Sequence, residues 1–139
     1  MRTRNNKKSR CHCVNIRRAA NRISNLYNEY LAPGHISVNQ YSLLANIDRL
    51  GCCSVSALAE QVDLERTTLV RTLRPLIARG LIEDKVEQGR REHRLALTEE
   101  GQRLRKECLP LWEQAQAETE GRLGPGGIEA LEELLERLG

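Results

Sequence analysis

The stretch LAEQVDLERTTLVRTLRPLIARGLIEDKVEQGRREHRLALT, residues 58–98, decides the fold. Leu58, Ala59 and Val62 give a short helix, Asp63 and Leu64 a turn, and a second helix follows from about Glu65 to Arg79. At 100° per residue, Leu69, Val70, Leu73, Leu76 and Ile77 gather on one side of that helix. Thr67, Thr68, Arg71 and Thr72 fall opposite, with no acid among them.

Beyond Gly80, Leu81 to Val86 alternates weakly, Gln88-Gly89-Arg90-Arg91 supplies a turn, and Glu92 to Thr98 returns with Leu95 and Leu97 on one side. Helix, turn, helix and basic hairpin in this order predict a winged helix-turn-helix. A helix offering solvent threonines and arginines suits a DNA major groove, where arginine pairs with guanine edges and threonine touches phosphates or a thymine methyl. The candidate reading residues are Arg66, Thr67, Thr68, Arg71, Thr72 and Arg74, and the candidate wing contacts are Arg90, Arg91 and Arg94. Pro75 removes a hydrogen bond to the Arg71 carbonyl, so a bend or loosened turn is expected there.

Working outward, apolar residues from Ile16 to Leu31 recur at steps of three and four, predicting a helix from about His12 to Leu31 ahead of the stop Ala32-Pro33-Gly34. Val38 to Leu50 predicts another, with Tyr41, Leu44, Ile47 and Leu50 inward and Gly51 as a left-handed cap. Ser54 or Ser56 can cap the short helix after it, and Thr98 the helix that follows the wing, whose Glu99 and Glu100 suit the dipole. That helix should reach about Leu123, kinked at Pro110 and broken at Gly124-Pro125-Gly126-Gly127 before a last amphipathic helix of Ile128, Leu131, Leu134, Leu135 and Leu138.

The fold class is therefore mainly α with a small β-hairpin wing, with dimerisation helices at both chain ends. The expected division is a basic arm over residues 1–11, a helical dimerisation region over 12–37 and 99–139, and a winged helix-turn-helix over 38–98. The end helices carry apolar stripes that are most economically covered by a second copy, so a homodimer is expected.

Composition supports this reading. With one Trp, three Tyr and no Phe, the chain lacks the rings on which single-stranded nucleic-acid platforms stack bases. Residues 1–22 hold eight basic side chains and no acid, whereas from Leu95 onward five basic residues face ten acidic ones. A basic front and an acidic tail imply different partners. No apolar run approaches the roughly 20 residues that cross a bilayer, and no secretory signal is visible, so a cytoplasmic protein is expected.

The five cysteines, Cys11, Cys13, Cys52, Cys53 and Cys108, are an odd number and argue against a disulfide framework in a reducing compartment. Cys11-His12-Cys13 is the most unusual local feature. Arg10, Arg17, Arg18 and a helix N-terminus nearby favour thiolate, making Cys11 and Cys13 candidate redox sensors, with Cys108 a candidate resolving partner. The bland alternative is that the cysteines are small apolar residues with no role. A metal site fits less well, because residues about 100° apart on a helix cannot close a tetrahedron without other ligands such as Cys108 or His35. His93 reads as a surface residue.

The chain resembles the MarR (multiple antibiotic resistance regulator) family of bacterial transcription factors from Cys13 to Leu138. The matching pieces are Leu58-Ala59, Thr67-Thr68-Leu69-Val70-Arg71, Leu76 through Arg79-Gly80-Leu81-Ile82, and Leu97-Thr98-Glu99-Glu100-Gly101. The resemblance implies a homodimer on double-stranded, pseudo-palindromic operator DNA, with Arg71 as the recognition-helix arginine and Arg91 as the wing-tip arginine. The family often has an Asp two residues before that arginine; Gly89 stands there, which implies a more mobile wing. Members are usually repressors released by a small phenolic ligand or thiol oxidation, less often controlled by zinc, and some sense oxidants with a cysteine near the start of the first helix.

The resulting expectation is a dimeric, sequence-specific transcriptional regulator, a repressor released by a small-molecule effector or by thiol oxidation, with no cofactor. Two other classes compete. An architectural or adaptor winged-helix protein would bind DNA or protein without sequence preference. A thiol redox enzyme would need machinery the sequence does not show: there is no CxxC, no Gly-rich phosphate loop, no paired carboxylates on a clear pocket and no His with a plausible acid partner.

Overall fold

The computed structural model describes residues 7–86 and 93–139. Its elements are α1 (His12–Leu31), α2 (Val38–Leu50), β1 (Cys53–Ser54), α3 (Val55–Val62), α4 (Arg66–Ala78), β2 (Ile82–Val86), β3 (His93–Leu97) and α5 (Glu99–Leu138). A single 3-10 turn, Ala32–Gly34, joins α1 to α2.

Local chemistry sets the boundaries. Ser37 and Gln40 form a capping box at α2: the Gln40 N–H donates to Ser37 Oγ (3.2 Å) and the Ser37 N–H to Gln40 Oε1 (3.1 Å). Of the two serines that could cap α3, Ser54 does so, accepting from the Ala57 N–H at 3.0 Å. Asp63 closes α3 in the left-handed region (φ 53°), a conformation Asp tolerates better than most residues, and thereby sets the angle at which α4 departs. Gly51 ends α2 with φ 79° and ψ −103°, a positive-φ conformation outside the left-handed helical region expected for it.

The end of α4 and the start of α5 form one knot. Gly80 (φ 73°) lets its N–H reach the Ile77 carbonyl (2.9 Å) and the Leu81 N–H reach that of Leu76 (3.0 Å), a Schellman closure. Thr98 then donates through its hydroxyl to the Gly80 carbonyl (2.6 Å) and through its N–H to the Leu81 carbonyl (3.1 Å). The same hydroxyl accepts from the Gly101 N–H at 3.0 Å and so caps α5. A Cβ on Gly101 would stand 2.0 Å from the Leu81 carbonyl oxygen, so no other residue fits there without displacing backbone.

The hairpin is part of a three-stranded antiparallel sheet in the order β1-β3-β2. Cys53 pairs with Leu95 and Ser54 with Arg94, while Ile82 pairs with Leu97 and Asp84 with Leu95. The two residues of β1 are too few to show any alternation, which is why the sequence announces two strands only.

Leu31, Leu44, Ile47, Leu58, Leu69 and Leu76 are fully buried in a core that also takes in Leu95 and Cys108. This core therefore reaches from the end of α1 through the helix-turn-helix to α5. Leu43, not singled out by periodicity, is buried, and Leu50, expected inward, is 39% exposed because the last turn of α2 runs past the core. Higher up, Leu26, Tyr27 and Ala115 make a second cluster between α1 and α5, with Tyr27 Oη bonded to Gln116 and Tyr30 Oη to Glu118 (3.2 Å). Arg105 of α5 pairs with Asp48 of α2 at 3.2 Å. Helical geometry persists through Pro75 in α4 and Pro110 in α5. Gly124 alone in α5 leaves it (φ 68°, ψ 170°), at the expected break. No helix among the described residues is long and apolar enough to cross a membrane.

Candidate nucleic-acid interface

Helix α4 stands on the core through Leu69, Leu73 and Leu76 and leaves its other sides open. Arg66, Thr67, Val70, Arg71 and Arg74 line one shallow groove of about 350 Å³ along its outer face. Their spacing repeats every three to four residues, so four of the six candidate reading residues share one stripe. The stripe holds three guanidinium groups and no carboxylate, and Val70 adds an apolar patch between them.

The expected row of threonines is split. Thr68 and Thr72 turn away from Arg71 toward α2 and α3, lining a hollow of about 170 Å³ with Asn39, Ser42, Leu43, Val62 and Leu64. Thr72 Oγ1 donates to the Thr68 carbonyl at 3.0 Å, which occupies the hydroxyl proton. One helical step of 100° is enough to move these two from the arginine face to its flank. Val70 packs against the core as its spacing predicts, and being only partly buried it also borders the outer groove. The sequence reading placed Ile77 inward, whereas Ile77 is 39% exposed at the lip of the last turn.

At the wing, Arg94 lies on β3, half-buried, opposite both Ser54 and Lys85. Arg90 and Arg91, and the turn at Gln88-Gly89, lie outside the described residues. His93 Nδ1 meets Asp84 Oδ2 at 2.7 Å across the hairpin, so this surface histidine has a carboxylate partner. Arg79, at the C-terminal end of α4, donates to the His35 carbonyl at 2.7 Å and ties the reading helix to the turn after α1.

The cysteines separate into two groups. Cys11, Cys13 and Cys52 are exposed; Cys11 is the N-cap residue of α1 and its N–H donates to Ser9 Oγ (3.1 Å), while Arg17 Nη2 points at Cys13 Sγ at 3.8 Å. Cys53 and Cys108 are buried, and burial pushes both thiols above their ordinary range. Cys108 Sγ would lie 2.5 Å from a Cβ on Gly34, beyond the C-terminal end of α1. Twenty helical residues separate that end from Cys11, and a helix of this length spans roughly 30 Å. Cys108 therefore cannot resolve an oxidised Cys11 or Cys13 of its own chain. Among the described residues no group of three or more His, Cys, Asp or Glu is placed to hold a metal ion.

The sequence profile of the MarR family matches residues 36–85, from the turn before α2 to strand β2. Over nearly the whole chain, the Mycobacterium tuberculosis transcriptional regulator MosR, solved in complex with DNA, is 31% identical with a TM-score of 0.81. That match covers 92% of this chain and 96% of MosR. The chain belongs to the MarR family. Escherichia coli MarR, solved as a cysteine-to-serine mutant with operator DNA, is 25% identical with a TM-score of 0.78, covering 88% of this chain and 89% of that one. Bordetella bronchiseptica BpsR, whose DNA binding is regulated by 6-hydroxynicotinic acid, shares the fold at 24% identity and a TM-score of 0.82, over 95% and 96% of the two chains. A sequence search of curated proteins gave no match. The winged helix of this MarR-family chain is thus the DNA-binding fold of transcriptional regulators, and its relatives here are regulators rather than enzymes.

Proposed function

We propose that two copies of this chain bind a pseudo-palindromic operator as a repressor, each placing α4 in a major groove. Half-sites would lie about one helical turn, roughly 34 Å, apart. The observation that carries this reading is the exposed, acid-free stripe of Arg66, Thr67, Val70, Arg71 and Arg74 on a helix anchored by a leucine face. MosR and E. coli MarR, both crystallised with DNA, support it. In this reading Arg71 contacts base edges near the middle of the stripe, Arg66, Thr67 and Arg74 flank it, Thr68 meets phosphate from the side with the Thr72 methyl group beside it, and Arg90, Arg91 and Arg94 of the wing meet the backbone or minor groove.

The two copies join through residues 12–37 and 99–139, leaving 38–98 to read DNA in the cytoplasm. Support comes from apolar side chains that one chain leaves open: Ile16 on α1, and Leu131, Leu134, Leu135 and Leu138 beyond Gly124, of which Leu138 is 69% exposed. Ile16, Leu134 and Leu138 line a common groove.

Release from DNA is assigned to thiol oxidation at Cys11 and Cys13, with a small-molecule effector as the alternative trigger. A peroxide oxidises one thiolate to a sulfenic acid and leaves as an alcohol or water; the second thiol then forms the disulfide and expels water. A bond between the N-cap residue and the second residue of α1 would distort the first turn of the helix.

Fluorescence anisotropy with the DNA upstream of the protein's own coding region tests the reading. Arg71→Ala should weaken specific binding by roughly 1–3 kcal/mol. Equal affinity for that DNA and a scrambled duplex would overturn sequence-specific regulation in favour of an architectural role. Peroxide should release the wild type reversibly and leave Cys11→Ser/Cys13→Ser bound; release of both would move the trigger elsewhere.

A further inference from the structure

Residues 7–11 do not trail away from α1. The Ser9 N–H donates to Asn15 Oδ1 (2.9 Å) and Asn15 Nδ2 donates back to the Ser9 carbonyl (2.9 Å). Arg18 Nη1 donates to the Lys7 carbonyl at 3.1 Å, so the arm is folded back along the first turns of the helix. Between arm and helix lies a cavity of about 390 Å³, lined by Lys7, Lys8, Asn15, Arg18, Ala19 and Arg22. Its charged walls are all cationic, brought together from two segments, and no carboxylate lines it. Lys7, Lys8 and Arg18 carry like charge on the walls of one cavity, and an anion between them offsets their repulsion. Asn15, Arg18, Ala19 and Arg22 recur at three and four residues, so the wall is one face of α1 rather than a chance scatter of surface lysines.

The wall that α1 gives the cavity runs from Asn15 to Arg22, in the N-terminal half of the helix, whereas Leu31 at the other end is embedded in the core with Leu69 and Leu76 of α4.

We propose that the cavity between the N-terminal arm and α1 is a binding site for a small polyanion, a molecule carrying two or more carboxylate or phosphate groups. A volume in the few-hundred Å³ range suits a small metabolite, and guanidinium and ammonium groups bind both kinds of anion by charge-assisted hydrogen bonds. Lys7 and Lys8 supply mobile point charges, Arg18 a planar fork, and Asn15 holds the arm closed.

Isothermal titration of the DNA-free protein with citrate in one arm and inorganic pyrophosphate in the other tests the proposal and separates carboxylate from phosphate preference. At least one probe should bind with Kd below about 1 mM at physiological salt. Arg18→Gln and the double variant Lys7→Gln/Lys8→Gln should each weaken it by about tenfold. Asn15→Ala should weaken it with unchanged circular dichroism, and Arg103→Gln, an exposed cation on α5, should leave it unchanged. No saturable binding of either probe, or equal loss in the Arg103 control, would overturn the proposal. So would an arm whose variants lower affinity for duplex DNA while neither small anion binds. Because DNA is absent from the titration, its outcome is independent of the operator reading.

Discussion

The two ends of α1 are built from similar residues and meet opposite surroundings. At the C-terminal end, Leu26, Tyr27 and Leu31 are buried against α5 and the helix-turn-helix core. At the N-terminal end Cys11, Cys13, Ala19 and Ala20 are exposed, and Ile16 is 47% exposed. Both stretches carry the same three-and-four apolar spacing, so spacing alone cannot tell them apart. One end is committed to the fold of its own chain, and the other keeps apolar surface, thiols and cations available for partners and chemistry.

The sharpest way to break the comparison is truncation at each end. Leu31→Ala opens a cavity in the core and should cost roughly 2–5 kcal/mol in urea unfolding, with a midpoint shift that is the same at every protein concentration. Ile16→Ser should leave a midpoint shift visible only through its dependence on concentration. If Ile16→Ser destabilises as much as Leu31→Ala in dilute protein, the N-terminal half is core and the comparison fails.

Next in size is the exposed leucine surface that accompanies Ile16. Burying one leucine is worth about 1.5–3 kcal/mol, so Leu134→Ser should weaken self-association by roughly tenfold or more in sedimentation equilibrium. An unchanged association constant would place the joining surface elsewhere.

The thiols sharpen the same contrast by rate. Limited alkylation read by mass spectrometry should modify the exposed Cys11, Cys13 and Cys52 first and leave Cys53 and Cys108 untouched until denaturant is added. Early modification of Cys108 would mean that α1 and α5 separate near Gly34.

The smallest effect expected is on the pH dependence of stability. Burial raises the Cys53 and Cys108 thiols, so the folded chain holds these protons more tightly than the unfolded chain does. Their contribution is complete below the ordinary thiol range and declines as pH rises from that range through the raised folded values. The unfolding midpoint should therefore drop on the alkaline side, and Cys108→Ala should flatten that slope. A slope unaffected by the substitution would assign alkaline lability to other groups, among them Tyr41, whose hydroxyl is also raised by burial.

Much of this was legible in the chain because the local signals agree. The Ser54 and Thr98 caps, the Gly80 and Gly124 interruptions and the leucine spacing of α4 each act within a few residues, where sequence and geometry correspond closely. What was not legible depends on neighbours distant in sequence. Whether Thr68 and Thr72 share a face with Arg71 depends on where α2 and α3 pack, and β1 exists only because β3 lies beside it. Leu50 and Ile77 fit their apolar stripes but sit at helix ends that overrun the core. The separation of Cys108 from Cys11 follows from how the helices are laid side by side, which no spacing records.

The knot formed by Gly80, Leu81, Thr98 and Gly101 also has a mechanical meaning. It fastens the last turn of α4 to the first turn of a rod that runs unbroken from Glu99 to the interruption at Gly124. At 1.5 Å per residue such a rod is about 37 Å long, and a tilt of about 3° at its upper end moves its foot by roughly 2 Å. A Cβ that would stand 2.0 Å from a carbonyl leaves no slack at that joint. A tilt of that size at the rod's upper end would therefore displace the start of α5, and the end of the reading helix fastened to it, by about a hydrogen-bond length.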